Sequence, residues 1–286
     1  MKLGVFSPVL AQMSFKEMVE YLSSIGVQQL EMGAGGYPGN DHFAPEVLLK
    51  ANSKIEEIKQ NLAEKLGVTT IVGFSGCPGD CAESKNPNWV TCSWPNDYLE
   101  ILNWQWNEVL IPYWKKEAEF CKSHGITKIA FEMHPGFCVY NTSSLLKLRE
   151  AVGDIIGANV DPSHLIWQGM DPVEVIKVLG KANAIHHFHA KDTKLDKANT
   201  SVNGVLDVGS YANVLDRSWV FRTVGYGNGK EMWNAIISTL KATGYDGVIS
   251  IEHEDSLMSP KEGLEKAVKF LQEVIIYETA GEAWWI

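Results

Sequence analysis

Four short apolar runs, each ending at a side chain that can bind a metal ion, constrain the fold of this chain more than any other feature. They are the segments TKIAFEMHPG, IIGANVDPSH, IHHFHAKD and VISIEHED, which begin at residues 127, 155, 185 and 248. A strand buried in a parallel sheet is typically apolar throughout, and the polar residue where it stops projects beyond the sheet. The pattern therefore predicts parallel strands that end at functional side chains.

The strand-end residues Glu132, Asp161, His189 and Glu252 are spaced like a repeating βα unit. Steps of 29, 28 and 63 residues separate them, and one βα unit spans roughly 30 residues. The first three therefore end consecutive strands, and the fourth follows after one strand is skipped. We predict that all four side chains face one mouth of a barrel and bind one divalent ion. Carboxylates and imidazole favour Mn²⁺, with Mg²⁺, Co²⁺ or Zn²⁺ as alternatives.

Further segments bring the count to eight strands that alternate with helices. The additional strands are predicted at 3–6, 28–32, 68–74 and 219–224. Helices are predicted at 15–25, 45–66, 102–124, 143–152, 172–179, 231–243 and 261–276. The long irregular stretches 75–101 and 193–217 are typical of lids or binding loops. Together these elements predict an α/β protein with a single (β/α)8 TIM-barrel domain over residues 1–286.

Composition and charge exclude several classes of function. The net charge of −10 disfavours a protein that must neutralise the phosphates of a nucleic acid. No apolar run reaches the length that spans a membrane, and MKLGVFSPVL lacks the features of a signal peptide. The number of cysteines, five, is odd, and the CxxxC spacing of Cys77 and Cys81 is neither that of a redox CxxC motif nor that of a zinc ribbon. We expect a cytoplasmic enzyme with reduced thiols.

Three histidines on one predicted strand, His186, His187 and His189, compete for the ligand position. Because side chains alternate along a strand, His187 and His189 point to one face and His186 to the other. His189 lies nearest the predicted mouth, so we assign it as the ligand. His187 would lie one layer deeper and form hydrogen bonds within the core.

The four motifs, with the loops GAGGYPGN and FSGCPG, make the chain resemble the xylose-isomerase-like TIM barrels, the sugar phosphate isomerase/epimerase family. Its members include ketose 3-epimerases, inositol-catabolism isomerases and dehydratases, and more distantly endonuclease IV. The resemblance covers nearly the whole chain. It implies that Glu132, Asp161, His189 and Glu252 hold the metal ion and that the two glutamates act as acid and base. It also implies that His164 contacts a substrate oxygen and that Asp192, which lies beside the metal-binding histidine, is a candidate for substrate binding.

The resemblance implies a metal-dependent isomerase or epimerase of a keto-sugar or a polyol-derived substrate. The reaction would remove a proton next to a metal-bound carbonyl and pass through an enediolate. A dehydratase or lyase acting on a keto-sugar, an inosose or a 3-keto-glycoside would use the same site. Position 195 is leucine where the epimerases have an arginine, so the contact with the far end of a sugar is altered. The sequence contains no phosphate-binding motif, so it does not indicate that the sugar is phosphorylated.

Weaker candidates surround the predicted mouth, and two other classes of function stay open. His134 and His253 follow strand-end glutamates and are either rim residues or substrate contacts. Trp167 and Arg222 are candidates for the floor of the pocket, with packing and a salt bridge as the alternatives.

The two other classes of function are an endonuclease-IV-like hydrolase, for which further metal ligands are missing, and a non-catalytic sugar-binding barrel. We expect a small carbohydrate as partner, without nucleic acid or membrane. The subunits are expected to form a homodimer or a homotetramer, and the apolar tail GEAWWI would pack on the barrel or on a neighbouring subunit.

Overall fold

A computed structural model describes residues 1–44, 67–279, 281–282 and 285. The predicted helix 45–66 lies outside these residues. The described strands are β1 (Lys2–Phe6), β2 (Gln29–Glu31), β3 (Thr70–Gly73), β4 (Lys128–Glu132), β5 (Ile156–Val160), β6 (Ile185–Ala190), β7 (Asp192–Leu195), β8 (Trp219–Arg222) and β9 (Val248–Ile251). The described α-helices are α1 (Phe15–Ser24), α2 (Asn96–Trp104), α3 (Ile111–Ser123), α4 (Thr142–Val152), α5 (Pro162–Trp167), α6 (Pro172–Lys181), α7 (Lys197–Asn203), α8 (Lys230–Ala242) and α9 (Pro260–Val274).

The chain packs as two compact units. The first comprises Met1–Met32 and His189–Ile286, and the second comprises Gly33–Phe188. The single domain over residues 1–286 stays a prediction. Among the described helices, none has both the length and the apolar character needed to cross a bilayer.

In the first unit, β1 lies between β2 and β9 and pairs with both in parallel. His189 and Ala190, the last two residues of β6, pair in parallel with β9. Leu3 and Val5 of β1 are completely buried, as the apolar pattern requires. Helix α1 begins at a capping box: Glu17 N–H donates to the hydroxyl of Ser14, and the Glu17 side chain accepts from the Ser14 N–H. Ser14 is therefore the N-cap of α1.

In the second unit, β4 lies between β3 and β5 and pairs with both in parallel. The first four residues of β6 fall in this unit, and three of them pair in parallel with β5. Strand β4 is buried from Ile129 to Glu132, and its register places Glu132 beside Asn159 of β5. The two strands therefore bring a carboxylate and an amide together at their ends.

The strand predicted at 219–224 is present as β8, but its pairing differs from the prediction. It pairs antiparallel with β7, with Asp192 opposite Arg222, and not in parallel as a barrel strand would. Helix α7 and all of strand β7 except Asp192 lie in the stretch 193–217 that was predicted as an irregular loop. Strand β7 has the sequence DTKL, whose polar residues and short length resemble a loop in sequence.

The tryptophan-rich helix predicted at 102–124 begins earlier, at Asn96, and contains a π-helical segment, Gln105–Leu110. Pro112 occupies the first turn of α3, a position that favours a helix start. The side-chain amide of buried Gln105 donates to the carbonyls of Pro78, Gly79 and Asn88 at 2.7–3.0 Å. This amide therefore holds the loop that follows β3.

Candidate functional site

Glu132 ends β4 and is buried, with 3% of its surface exposed. Its Oε2 accepts a hydrogen bond from the amide of Asn159 at 3.1 Å. Its Oε1 lies 3.0 Å from Nε2 of His164. A buried carboxylate is costly unless polar groups surround it, and here an amide and an imidazole supply them. The strand-end position that the sequence predicted for Glu132 is confirmed.

Asp161 follows β5 and caps helix α5. Its Oδ1 accepts from the N–H of Ser163 at 2.8 Å, as an N-cap residue does. Its Oδ2 lies 3.5 Å from Nε2 of His164. Because Pro162 begins α5, the fixed φ of proline favours this helix start. One oxygen of Asp161 therefore supports the backbone, while the other faces the same imidazole as Glu132.

His134 joins these residues within the second unit. Its Nδ1 lies 2.6 Å from the carbonyl of Pro135, so Nδ1 carries the proton. Its ring centroid lies 4.1 Å from that of His164. Glu132, His134 and His164 each offer a ligand atom, and these atoms lie within 4.8 Å of one another. Carboxylate oxygen and imidazole nitrogen suit a borderline divalent ion. The bonds to Asn159 and Pro135 are the kind of support that metal ligands receive.

His189 is the last but one residue of β6 and belongs to the first unit. Its Nε2 lies 3.0 Å from Oε2 of Glu31, and its ring stacks on Phe6 with centroids 5.7 Å apart. Glu31, at the end of β2, also accepts a hydrogen bond from the hydroxyl of Ser250 at 2.6 Å. The imidazole is therefore oriented by a carboxylate and by an aromatic face.

Glu252 follows β9 and lies beside His189 in the same unit. Its Oε2 is 3.3 Å from Nδ1 of His189 and accepts a hydrogen bond from the ammonium of Lys191 at 2.7 Å. Lys191 is 2% exposed and also donates to Glu254 at 3.0 Å. A buried ammonium between two carboxylates is thus part of this cluster, although the sequence analysis did not select it.

Asp192, expected beside the metal-binding histidine, is completely buried and anchors a loop. Its Oδ2 accepts from the N–H groups of Gly225, Gly227 and Asn228 and from the indole of Trp233, at 2.9–3.2 Å. Its Oδ1 accepts from the N–H of Thr193 and the amide of Asn228, at 2.8 and 2.7 Å. These contacts give Asp192 a structural role in the first unit. Its contact with substrate stays a prediction.

The remaining candidates have mainly structural contacts. Arg222 donates to Asp255 at 3.0 Å, which is the salt bridge considered as its alternative. Burial raises the pKa of Asp255, but bonds from Thr223 and Leu257 and the bond from Arg222 outweigh it and hold that pKa below 3.8. Trp167 is buried at the end of α5, in agreement with packing. Burial lowers the pKa of half-buried His253. Substrate contacts by Trp167 and Arg222 stay predictions.

The four predicted ligands divide between the units. Glu132 and Asp161 lie in the second, and His189 and Glu252 lie in the first. Their convergence on one ion stays a prediction that rests on the spacing of the strand ends.

Two residues that the sequence analysis passed over could have been found from strand geometry. Lys191 lies two residues after His189, so alternation along an extended chain predicts that both side chains face the same way. Asn159 lies directly opposite Glu132 in the register of β4 and β5. The sequence alone does not reveal that register, because apolar runs of equal length can pair with several offsets.

Comparison with known proteins identifies the family. The model of the xylose isomerase-like TIM barrel family matches residues 4–274. The chain is 34% identical over 313 aligned positions to the uncharacterized protein YfiH of Bacillus subtilis (strain 168), covering 96% of this chain and 99% of that protein. It is also 27% identical over 149 positions to an inosose dehydratase of Clostridium botulinum (strain Alaska E43 / Type E3). That match covers 51% of this chain and 47% of the dehydratase.

Among solved structures, the chain is similar to a D-psicose 3-epimerase from Clostridium cellulolyticum H10, described with D-tagatose. The TM-score is 0.59 at 12% identity, covering 98% of this chain and 100% of that one. At this identity the likeness concerns the fold. The family resemblance and the α/β TIM-barrel class predicted from the sequence are both confirmed.

Proposed function

The chain belongs to the xylose isomerase-like TIM barrel family, and from this premise we propose that it is a divalent-metal-dependent isomerase or epimerase of a small carbohydrate. The observation that carries the proposal is the environment of Glu132. This buried carboxylate ends a parallel strand, is held by Asn159 and lies 3.0 Å from His164. Such a carboxylate is suited to move a proton, because it is fixed in place and shielded from solvent.

We propose Glu132, Asp161, His189 and Glu252 as the residues that hold the ion. Their donors are carboxylate oxygens and an imidazole nitrogen, which fit Mn²⁺ first and Mg²⁺, Co²⁺ or Zn²⁺ as alternatives. When bound, the ion would polarise a substrate carbonyl as a Lewis acid. His134 and His164 extend the set of nitrogen donors beside Glu132.

The chain's own residues would carry the proton. Glu132 ends β4 and Glu252 follows β9, and we propose that one removes the proton next to the carbonyl and the other returns it. Return to the same carbon on its opposite face gives epimerisation, and return to the neighbouring carbon gives isomerisation. We propose that His164, buried beside Glu132, donates a hydrogen bond to the substrate oxygen on which negative charge develops.

A second candidate, elimination of water, is favoured by one comparison. The inosose dehydratase of Clostridium botulinum matches about half of this chain. A dehydratase begins with the same removal of a proton next to a carbonyl and then expels a hydroxyl group. We therefore propose a dehydratase or lyase as the alternative activity of the same residues.

The proposed partner is a small carbohydrate and not a nucleic acid. The net charge of −10 supports this choice, because it opposes binding to phosphate backbones. From the sequence we also propose a cytoplasmic location and assembly as a homodimer or a homotetramer. Size-exclusion chromatography with light scattering tests the assembly.

The test is a metal-supplemented screen of keto-sugars, inososes and 3-keto-glycosides in D₂O. NMR detects deuterium incorporated next to a carbonyl, and mass spectrometry detects loss of water. Epimerisation or isomerisation gives deuterium without change of formula, whereas a dehydratase gives the dehydrated product. If no substrate gives either signal with any of the four ions, the proposal is refuted.

Two variants with the same chemical change connect the activity to the site. Glu132→Gln should lower turnover by at least about 100-fold, the usual loss when a general acid or base is removed. Glu150→Gln changes an exposed glutamate on α4 and should leave turnover unchanged. Equal activities would exclude Glu132 as the proton carrier.

A further inference from the structure

Lys191 is a buried cation in contact with one of the proposed ligands. It follows β6, and its side chain is 2% exposed. Its ammonium donates to Glu252 and Glu254 and lies 4.6 Å from the ring centroid of Phe221. Burial of an ammonium is costly unless carboxylates compensate it. The charge of Lys191 is therefore compensated inside the protein and does not serve solubility at the surface.

The contact involves a particular oxygen of Glu252. Lys191 donates to Oε2 at 2.7 Å, and Nδ1 of His189 lies 3.3 Å from the same atom. A metal ion that used Oε2 would meet the positive charge of the ammonium within a few ångströms, where repulsion inside a protein is strong. Oε2 is thus the oxygen of Glu252 that both the ammonium and Nδ1 of His189 face, and the charge of the ammonium opposes an ion bound there.

We propose that Lys191 is a positioning residue that holds Oε2 of Glu252 beside Nδ1 of His189, so that this carboxylate and this imidazole meet an ion in a fixed arrangement. The inference rests on the proposed function, because it takes Glu252 as a ligand. Lys191 should affect ion binding and turnover in opposite directions. The ammonium opposes ion binding by its charge, yet it supports turnover by fixing the carboxylate.

The experiment compares Lys191→Met with the wild-type protein. Isothermal titration with Mn²⁺ alone should show a Kd at least about fivefold lower in the variant, because a nearby positive charge is gone. On a substrate found in the D₂O screen, kcat should fall at least about tenfold, because an unrestrained carboxylate is misplaced. KM should change by less than about twofold, because substrate binding does not depend on this contact.

Matched variants separate charge from packing. Lys191→Arg keeps the charge, so its Mn²⁺ affinity should stay close to that of the wild type. Lys194→Met makes the same chemical change at an exposed lysine and should alter neither quantity. Lys191→Gln keeps a hydrogen-bond donor without the charge, and it decides the question if the methionine variant does not fold. It should bind Mn²⁺ more tightly than the wild-type protein and retain more turnover than Lys191→Met.

The outcomes distinguish this inference from the proposed function. If the wild-type protein binds no Mn²⁺ and no other divalent ion, the proposed function fails and the inference fails with it. If the wild-type protein binds the ion but removal of the charge does not tighten binding, the inference alone is overturned. Weaker binding together with lower turnover would also overturn it, because a purely structural lysine gives that result.

Discussion

Replacement of Asp192 by asparagine tests whether this carboxylate is structural. The side chain is completely buried and accepts six hydrogen bonds from the backbone and side chains around it. Four of these hydrogen bonds are accepted by Oδ2 and two by Oδ1. Asparagine has nearly the same shape but offers an acceptor at one position only. The substitution therefore changes the hydrogen bonding with little change in volume.

The expected loss follows from the better orientation of the amide. With the amide oxygen in place of Oδ2, four donors keep their acceptor and two face an NH₂ group. Each buried donor left without an acceptor costs about 1–3 kcal/mol. The free energy of unfolding should therefore fall by about 2–6 kcal/mol, the cost of two such donors. The opposite orientation deprives four donors and is less favourable.

Urea unfolding followed by circular dichroism measures this loss. Asp196→Asn is the matched control, because Asp196 is exposed and caps α7, a position where asparagine caps as well as aspartate. Its free energy of unfolding should stay within about 0.5 kcal/mol of the wild type. If Asp192→Asn cost less than about 1 kcal/mol, the six contacts would not stabilise the fold. The reasoning would then be refuted, and the substrate contact predicted from the sequence would be favoured.

Three further predictions follow from contacts described above or from neighbouring thiols. Gln105→Leu should speed trypsin cleavage after exposed Lys85 by about tenfold, since the amide no longer holds the loop after β3; an unchanged rate would contradict this. A hydrogen bond from Cys138 lowers the pKa of Cys77 to about 7, so Cys138→Ala should move the pH midpoint of Cys77 alkylation upward, as followed by peptide mass spectrometry. The pKa of Asp255 in the folded protein lies below 3.8. Its contribution to the free energy of unfolding is therefore complete above pH 3.8 and is lost as the pH falls through the pKa of the folded state. Asp255→Asn should therefore destabilise the protein more at pH 5 than near pH 2.5 in urea titrations; an equal loss at both would count against it.

Strand ends were predictable because their signal is local. Ile129–Phe131 is an apolar run followed directly by Glu132, and burial of this run in a parallel sheet accounts for both features. The same holds for β9 and Glu252. The cap of α1 was predictable as well, because Ser14 precedes the first amphipathic turn.

What the sequence did not reveal depends on partners distant in the chain. Strand β7 is short and polar, and its extended shape follows from pairing with β8, which lies more than twenty residues further on. Helix α5 has six residues, all buried, so it shows no amphipathic period to detect. The role of Lys191 likewise depends on Glu252, which a different strand supplies.

The π-helical segment Gln105–Leu110 has a consequence for how this helix can vary between homologues. A π-turn accommodates one residue more than the α-helix that it interrupts. Removal of a single residue there would give a continuous α-helix and rotate everything on its N-terminal side by about 100°, the angle per residue of an α-helix. Gln105 would then turn away from the carbonyls that it now binds. In relatives with a one-residue gap at this place, the loop after β3 must be fastened by other means.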